Sequence, residues 1–215
     1  MKTWRGPLRG LYGVTPDEAD TVRMLKRVRA ALDGGMRILQ LRNKLASTAL
    51  RAEQARALRA LTREYGCILI INDDAALAAA VDADGAHLGA EDGSMREARA
   101  MLGPDKLLGA TCYGKLENAR IAIADGADHV AFGGFFRSSV KPGNPQRPLS
   151  LLTDAKREFN VPVVAIGGIT QATTPQLMAA GADSVAVITA LFGAPDVSGV
   201  TQAAREFCAL FAKPS

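Results

Sequence analysis

The residues with chemistry to offer fall in short groups, and most stand directly after a run of apolar side chains. The first group is Gln40-Leu41-Arg42-Asn43-Lys44, which follows Ile38-Leu39. Alternation along a strand sends Gln40 and Arg42 to one side and Leu41 to the other. A hydrogen-bonding amide and two cations at one strand end suit an anionic substrate better than a solvated loop does. The next group is Asn72-Asp73-Asp74, after the apolar run Ile68 to Ile71, and then come His87-Leu88-Gly89 with Glu91 and Asp92. Asp73 and Asp92, on neighbouring strand ends, could share one hard divalent cation. Mg2+ takes one or two carboxylates and completes its shell with phosphate oxygens and water. Asp74 fits a different task, capping the next helix. His87 lies within its strand and is expected to be a satisfied wall histidine.

The remaining groups point to phosphate. Thr111 ends another apolar run, and its hydroxyl could donate to a phosphate oxygen. The stretch from Gly133-Gly134 to Pro142-Gly143-Asn144-Pro145 is rich in Gly, Pro and Ser and carries Lys141, so it is expected to form a lid with a phosphate-facing cation. Gly167-Gly168-Ile169 and Ile188-Thr189 end the last two apolar runs. Backbone amides after the seventh and eighth strands of a barrel recurrently cradle a phosphate, and glycine permits close approach.

These groups need a scaffold that brings many strand ends to one place. Strands are expected at 11–14, 38–42, 68–72, 86–89, 106–111, 129–132, 163–166 and 185–188, with helices between them at 20–32, 47–65, 75–81, 95–102, 116–124, 149–158 and 174–180 and a last one at 200–211. In the clearest helix, Leu50, Ala57, Leu58, Leu61 and Tyr65 share a face on which Gln54 is the one polar residue. Strict alternation implies parallel strands. Two features favour a closed barrel over an open sheet. Ala83-Asp84-Gly85-Ala86, Asp125-Gly126-Ala127-Asp128 and Ala180-Gly181-Ala182-Asp183 look like one helix-to-strand turn reused. No first turn carries GxGxxG, and the reactive residues instead follow several different strands. The expected fold is therefore α/β, a (β/α)8 TIM barrel forming one domain over residues 1–215.

Composition narrows the class. The chain has 215 residues, 48% of them hydrophobic, and a net charge of +4 from 26 basic and 22 acidic residues. Its basic residues are scattered among acidic neighbours, which argues against a nucleic-acid partner, while mild basicity suits anionic small molecules. No apolar run is long enough to span a bilayer, and the basic start lacks a signal-peptide core, so a cytoplasmic protein without membrane association is expected. Three separated cysteines fit buried thiols in a reducing compartment. There is no CxxC or HExxH, and the two histidines lie far apart in sequence, so no zinc site is expected. Oligomeric state is left open, a homo-oligomer included.

Taken as a set, the motifs resemble the thiamine phosphate synthase family over nearly the whole chain, from Leu11-Tyr12 to Ile188-Thr189. The match rests on Gln40-Leu41-Arg42-x-Lys44, Asn72-Asp73, His87-Leu88-Gly89-x-x-Asp92 and Ile166-Gly167-Gly168-Ile169. The resemblance implies a transferase that joins 4-amino-5-hydroxymethyl-2-methylpyrimidine diphosphate to a thiazole phosphate, releasing diphosphate. It implies Mg2+ on Asp73 and Asp92. It places Arg42, Lys44, Asn72, Thr111 and Lys141 on the diphosphate, with Arg42, Lys44, Thr111 and Lys141 as the catalytic set that steadies the leaving group. Gln40 would bind the aminopyrimidine, and Ser138, Gly168, Ile188 and Thr189 the thiazole phosphate. The chain departs from the family where Val140 replaces a hydroxyl residue, Thr111 stands for Ser, and Asn43 stands for Glu. A thiazole tautomerase of the same superfamily is the nearest alternative, but it has no need of the Asp73, Asp92, Lys44 and Lys141 set. A non-catalytic ligand-binding barrel is the third.

Overall fold

The computed structural model describes residues 8–137 and 146–212. Strands β1 (Gly10–Val14), β2 (Ile38–Leu41), β3 (Ile68–Asn72), β4 (Gly85–Leu88), β5 (Leu107–Tyr113), β6 (His129–Gly133), β7 (Val163–Ile166) and β8 (Ser184–Val187) pair in sequence order and in parallel. Pairing of β8 with β1 closes the barrel. Helices α1 (Thr21–Asp33), α2 (Thr48–Glu64), α3 (Ala75–Ala80), α4 (Met95–Leu102), α5 (Leu116–Ala124), α6 (Ser150–Glu158) and α7 (Thr174–Ala179) connect successive strands. A four-residue α8 (Thr189–Phe192) follows β8, and α9 (Val197–Ala212) packs on α1 and β1. The expected (β/α)8 architecture is the observed one.

Period-two alternation sorts the strand residues between two cores. Leu39, Leu69, Ile71, Leu108, Val130, Phe132 and Val185 face outward and pack under the helices. Tyr12, Val14, Ile38, Ile70, Leu107, Ala131 and Val164 face inward and fill the barrel. Both faces are buried, which is why the strands read as almost unbroken apolar runs.

The reused turn has a physical explanation. Asp84, Asp128 and Asp183 each precede an even-numbered strand and grip the preceding odd-numbered one. Their carboxylates accept the backbone N–H of Leu69 (2.8 Å), Leu108 (3.0 Å) and Val163 (2.8 Å). Their own N–H groups donate to the carbonyls of the same three residues. Each carboxylate also pairs with a cation from the helix that leads into that odd-numbered strand: Arg59 of α2, Arg99 of α4 and Lys156 of α6. The motif repeats because one βαβ clamp is needed three times around the N-terminal face, where such residues serve stability.

Four helix starts at the opposite face carry a side-chain cap. Asp20, Ser47, Asp74 and Ser94 accept the N–H three residues on, so the capping role expected of Asp74 is present. The buried face of α2 differs from expectation: it is centred on Gln54, Ala55, Leu58, Leu61 and Thr62. Gln54 is fully buried because its amide is used, as the site description shows. Cys67 and Cys112 are buried free thiols and Cys208 is half-buried. Among the described residues no helix is long and apolar enough to cross a membrane.

Candidate functional site at the barrel mouth

The strand C-termini surround a cleft of about 670 Å3. Gln40, Arg42, Lys44, Asn72, Asp73, Asp92, Thr111, Gly168, Ile188 and Thr189, drawn from six strands and their loops, all line it. Ser138, Val140 and Lys141, and with them the expected lid tip, lie outside the described residues. The cleft also contains residues that sequence patterns did not single out: Tyr113, Phe136, Arg137 and Arg147.

The acidic pair comes together from β3 and β4. Asp73 sits at φ 62°, a left-handed conformation, and its N–H donates to the His87 carbonyl at 2.8 Å. Asp92 accepts the Gly89 N–H through Oδ2 at 2.7 Å, which folds its loop back over the mouth. Partial burial, and then the neighbouring Asp73 carboxylate, raise the Asp92 pKa above the ordinary carboxylate range. Lys44 Nζ reaches Asp73 Oδ2 at 2.9 Å. Among the described residues no group of three or more His, Cys, Asp or Glu could hold a metal. Two crowded carboxylates suit a hard cation that shares its shell with phosphate oxygens and water.

The end of β2 is held firmly. Thr15 Oγ1 accepts from the Arg42 N–H (2.9 Å) and donates to the Arg42 carbonyl (2.8 Å). Asp17 takes the Arg42 guanidinium at 2.9 Å and the Lys44 N–H at 2.5 Å. Asn43 points away from the cleft; its amide donates to Gln54 Oε1 (3.0 Å) and the Glu18 carbonyl (2.6 Å). This buried amide pair ties β2 to α2, so Gln54 and Asn43 are scaffold, and Arg42 and Lys44 are presented on a fixed edge.

At the floor, Gln40 Nε2 donates to the Tyr12 hydroxyl at 3.0 Å. His87 is buried and bonded through Nε2 to Thr111 Oγ1 at 2.9 Å, so it is the satisfied wall histidine expected, and it also lines the cleft. The two histidines distant in sequence are neighbours in space: His87 Nδ1 lies 3.4 Å from His129 Nε2. Above Thr111 the β5–β6 register shifts, and Tyr113 takes φ 55°, which turns its ring toward the mouth. A left-handed tyrosine stores strain of roughly 1–3 kcal/mol, which a rigid scaffold must offset.

On the opposite side, Gly167 and Gly168 both have positive φ, at 107° and 65°. A Cβ at 168 would lie 2.2 Å from the Arg137 carbonyl oxygen. Glycine is therefore required here by backbone handedness and by the passing β6 loop, and the same openness leaves the turn accessible from the cleft. Gly134 and Phe136 donate to the Ile166 and Gly167 carbonyls, which seats Arg137 over the turn. A second hollow of about 310 Å3, near Thr15, Arg27 and Phe192, gathers none of the acidic pair or the glycine turn.

A closed parallel barrel whose mouth combines an acidic pair, several cations and a glycine turn belongs to the α/β-barrel enzymes that act at the C-terminal face of the strands. Comparison makes this particular. Residues 11–191 match the family model described as thiamine monophosphate synthase. The chain is similar to the thiamine-phosphate synthase of Methylobacillus flagellatus, 51% identical over 95% of this chain and 96% of that protein. It is likewise similar to that of Bordetella pertussis, 52% identical over 97% of each. A solved thiamine phosphate pyrophosphorylase from Pyrococcus furiosus superposes with a TM-score of 0.81 at 35% identity, covering 94% of this chain and 95% of that one. This chain belongs to the thiamine monophosphate synthase family, and it is a transferase.

Proposed function

We propose that the enzyme joins 4-amino-5-hydroxymethyl-2-methylpyrimidine diphosphate to 4-methyl-5-(2-phosphoethyl)thiazole, giving thiamine phosphate and diphosphate. The observation that carries this is the convergence of Gln40, Lys44, Asn72, Asp73, Asp92, Thr111 and Gly168 on one cleft. In the proposed step the bond from the pyrimidine methylene carbon to the diphosphate oxygen breaks, and the electron pair leaves with diphosphate. The thiazole nitrogen then donates its lone pair to that carbon. A leaving group with this much charge needs positioning and charge stabilisation and no protein nucleophile.

Each described residue has a task in that scheme. Gln40, fixed by Tyr12, orients the aminopyrimidine through its amide. Lys44, Arg42, Asn72 and Thr111 bind and steady the diphosphate as charge gathers on it. Arg137 and Arg147 add to the cationic rim. Amides near Gly168, Ile188 and Thr189 hold the thiazole phosphate on the far side, which sets the two reactants across the cleft from each other. Asp73 and Asp92 would hold Mg2+, whose charge, when bound, offsets that of the departing diphosphate. Ser138 and Lys141 keep the roles that family resemblance gives them.

The test is direct. Purified protein with both substrates and Mg2+ should form thiamine phosphate and diphosphate in equal amounts, and EDTA should stop it. Full turnover in EDTA, or thiazole isomerisation without coupling, would show the proposal to be wrong.

A further inference from the structure

Two of the cations that line the cleft already have partners: Arg42 is held by Asp17 and Lys44 by Asp73, each at 2.9 Å. Arg147 differs. It lines the same cleft, and among the described residues no carboxylate or other acceptor takes its guanidinium. Its backbone is fixed, because the Arg147 N–H donates to the Gly134 carbonyl at 2.8 Å and so ties the residue to the end of β6. From there the side chain reaches back to the loop after β5 and lies across Gly114. A Cβ at 114 would come within 2.4 Å of Arg147 Nε, 2.7 Å of its Cδ and 2.8 Å of its Cζ, and these are its nearest neighbours. Gly114 is not among the glycines with positive φ, so backbone handedness does not call for glycine here. Room for the guanidinium does.

The place where that side chain lies belongs to the acidic half of the mouth. Thr111 stands in the strand that ends just before Gly114. Tyr113, between them and the loop, leans toward the end of β4: a Cβ at Gly89 would lie 3.3 Å from the Tyr113 hydroxyl and 2.9 Å from Asp92 Oδ2. The β5 loop therefore borders the loop of Asp92. The glycine turn at 167–168 lies on the other side of β6, under the Arg137 carbonyl. The Arg147 side chain thus runs away from that turn and toward the acidic pair. A guanidinium offers a planar fork of N–H donors that fits two phosphate oxygens at once. One that is already paired must exchange a carboxylate for its ligand; an unpaired one gains the whole interaction.

We infer that Arg147 is a specificity-determining ligand of the diphosphate, kept within reach of it by the absence of a side chain at Gly114. Its fork donates to diphosphate oxygens and not to the phosphate of the thiazole. The inference rests on the proposed reaction, with the diphosphate held between the acidic pair and Thr111, and it assigns one cation of the rim to one of the two substrates.

Calorimetric titration of the whole protein with inorganic diphosphate plus Mg2+, and separately with 4-methyl-5-(2-phosphoethyl)thiazole, tests the assignment. Arg147→Ala should weaken diphosphate binding roughly 10- to 100-fold, the range for hydrogen bonds to a charged group. Thiazole phosphate affinity should change by less than about 2-fold, the scatter expected of a site the residue does not touch. Arg147→Lys keeps the charge and loses the fork, and should fall between parent and Arg147→Ala. Gly114→Ala leaves the guanidinium in the protein but puts a methyl where it lies. The neighbour that must give way is the end of a flexible side chain, so the ligand-free protein should melt within about 2 °C of the parent. Diphosphate affinity should nevertheless fall roughly 3- to 10-fold, part of the Arg147→Ala effect. In an Arg147→Ala background the Gly114→Ala loss should be absent, since the methyl then displaces nothing. Equal losses for both ligands in Arg147→Ala, or a Gly114→Ala loss that persists without Arg147, overturns the assignment. If the parent binds diphosphate and turns over while Arg147→Ala binds it as tightly, the role of Arg147 alone has failed. If the parent itself does not bind diphosphate with Mg2+, the proposed reaction fails together with the role of Arg147.

Discussion

Asp92→Asn should stabilise the protein in the absence of metal and cripple it as an enzyme. The two effects have one cause. Asp92 is partly buried and close enough to Asp73 to share a proton, and both features raise its pKa. Two carboxylates in contact repel by about 4 kcal/mol at an effective dielectric near 20. Solvent at the mouth screens the pair and Lys44, 2.9 Å from Asp73, offsets part of it, which leaves a net cost of about 1 kcal/mol. Asparagine keeps an oxygen for the Gly89 N–H that Asp92 now accepts and turns an N–H toward Asp73. In EDTA at neutral pH, Asp92→Asn should therefore melt roughly 2–4 °C above the parent, the shift expected for about 1 kcal/mol in a chain of this size.

The sign depends on pH. A carboxyl with a raised folded-state pKa binds its proton more tightly in the native protein than in the unfolded chain. Its charge costs nothing below the ordinary carboxylate range, and costs its full amount above the raised value. The gain from Asp92→Asn should thus be present at neutral pH and fade in acid. Added Mg2+ should reverse the ranking, because the parent gains binding energy that the variant lacks. Activity should fall by about 2–4 kcal/mol of transition-state stabilisation, roughly 30- to 900-fold in kcat/KM. Scanning calorimetry with EDTA or Mg2+, beside steady-state assays, measures all of this. A variant that melts below the parent in EDTA, or turns over normally with Mg2+, refutes the shared-cation argument.

Three further outcomes are expected. Gln40→Leu should impair use of the pyrimidine substrate and leave thiazole phosphate affinity nearly unchanged, with a stability loss of roughly 1–3 kcal/mol because the buried Tyr12 hydroxyl loses its partner; separate titrations of the two ligands, set against Tyr12→Phe, check it. Gly168→Ala forces an L-residue to φ 65° and a methyl to 2.2 Å from the Arg137 carbonyl; it should cost roughly 1–3 kcal/mol and weaken thiazole phosphate binding most, read by calorimetric titration. Asp84→Ala should lower stability by roughly 2–4 kcal/mol in urea, since it strips partners from Arg59 and the Leu69 N–H, while kcat/KM per folded molecule stays at the parent value.

The barrel was legible because its two signals reinforce each other. Apolar runs of four to seven residues marked every strand within one or two positions, and the recurring Asp before a strand marked the turn between units. What escaped had no periodicity to read. The four-residue α8 is shorter than the repeat that would announce it. The start of α9 at Val197 was hidden by Gly199, a poor helix residue that is held there because Asp196 accepts its N–H at 2.8 Å. On α2 the expected stripe already held Gln54, whose bonds to Asn43 and the Glu18 carbonyl make its burial inexpensive; what escaped was the shift of the buried face toward Ala55 and Thr62.

The site divides the same way, and the division follows barrel geometry. Residues at strand C-termini, such as Gln40, Arg42, Asn72, Asp73 and Thr111, converge simply because the strands are parallel and the sheet closes, so their convergence can be deduced from position alone. Tyr113 enters the cleft through a register shift and a left-handed backbone, neither of which leaves a mark in residue types. Arg137 and Arg147 flank the loop after β6 and reach the mouth by way of loop backbone bonds. His129 is the furthest removed: it opens β6, at the end of the strand remote from the mouth. It meets His87 because parallel strands β4, β5 and β6 are staggered, so the first residue of β6 stands opposite Gly109, which itself stands opposite His87. Stagger is a property of the closed barrel as a whole. A glycine at the middle position is what converts that stagger into contact between two imidazoles.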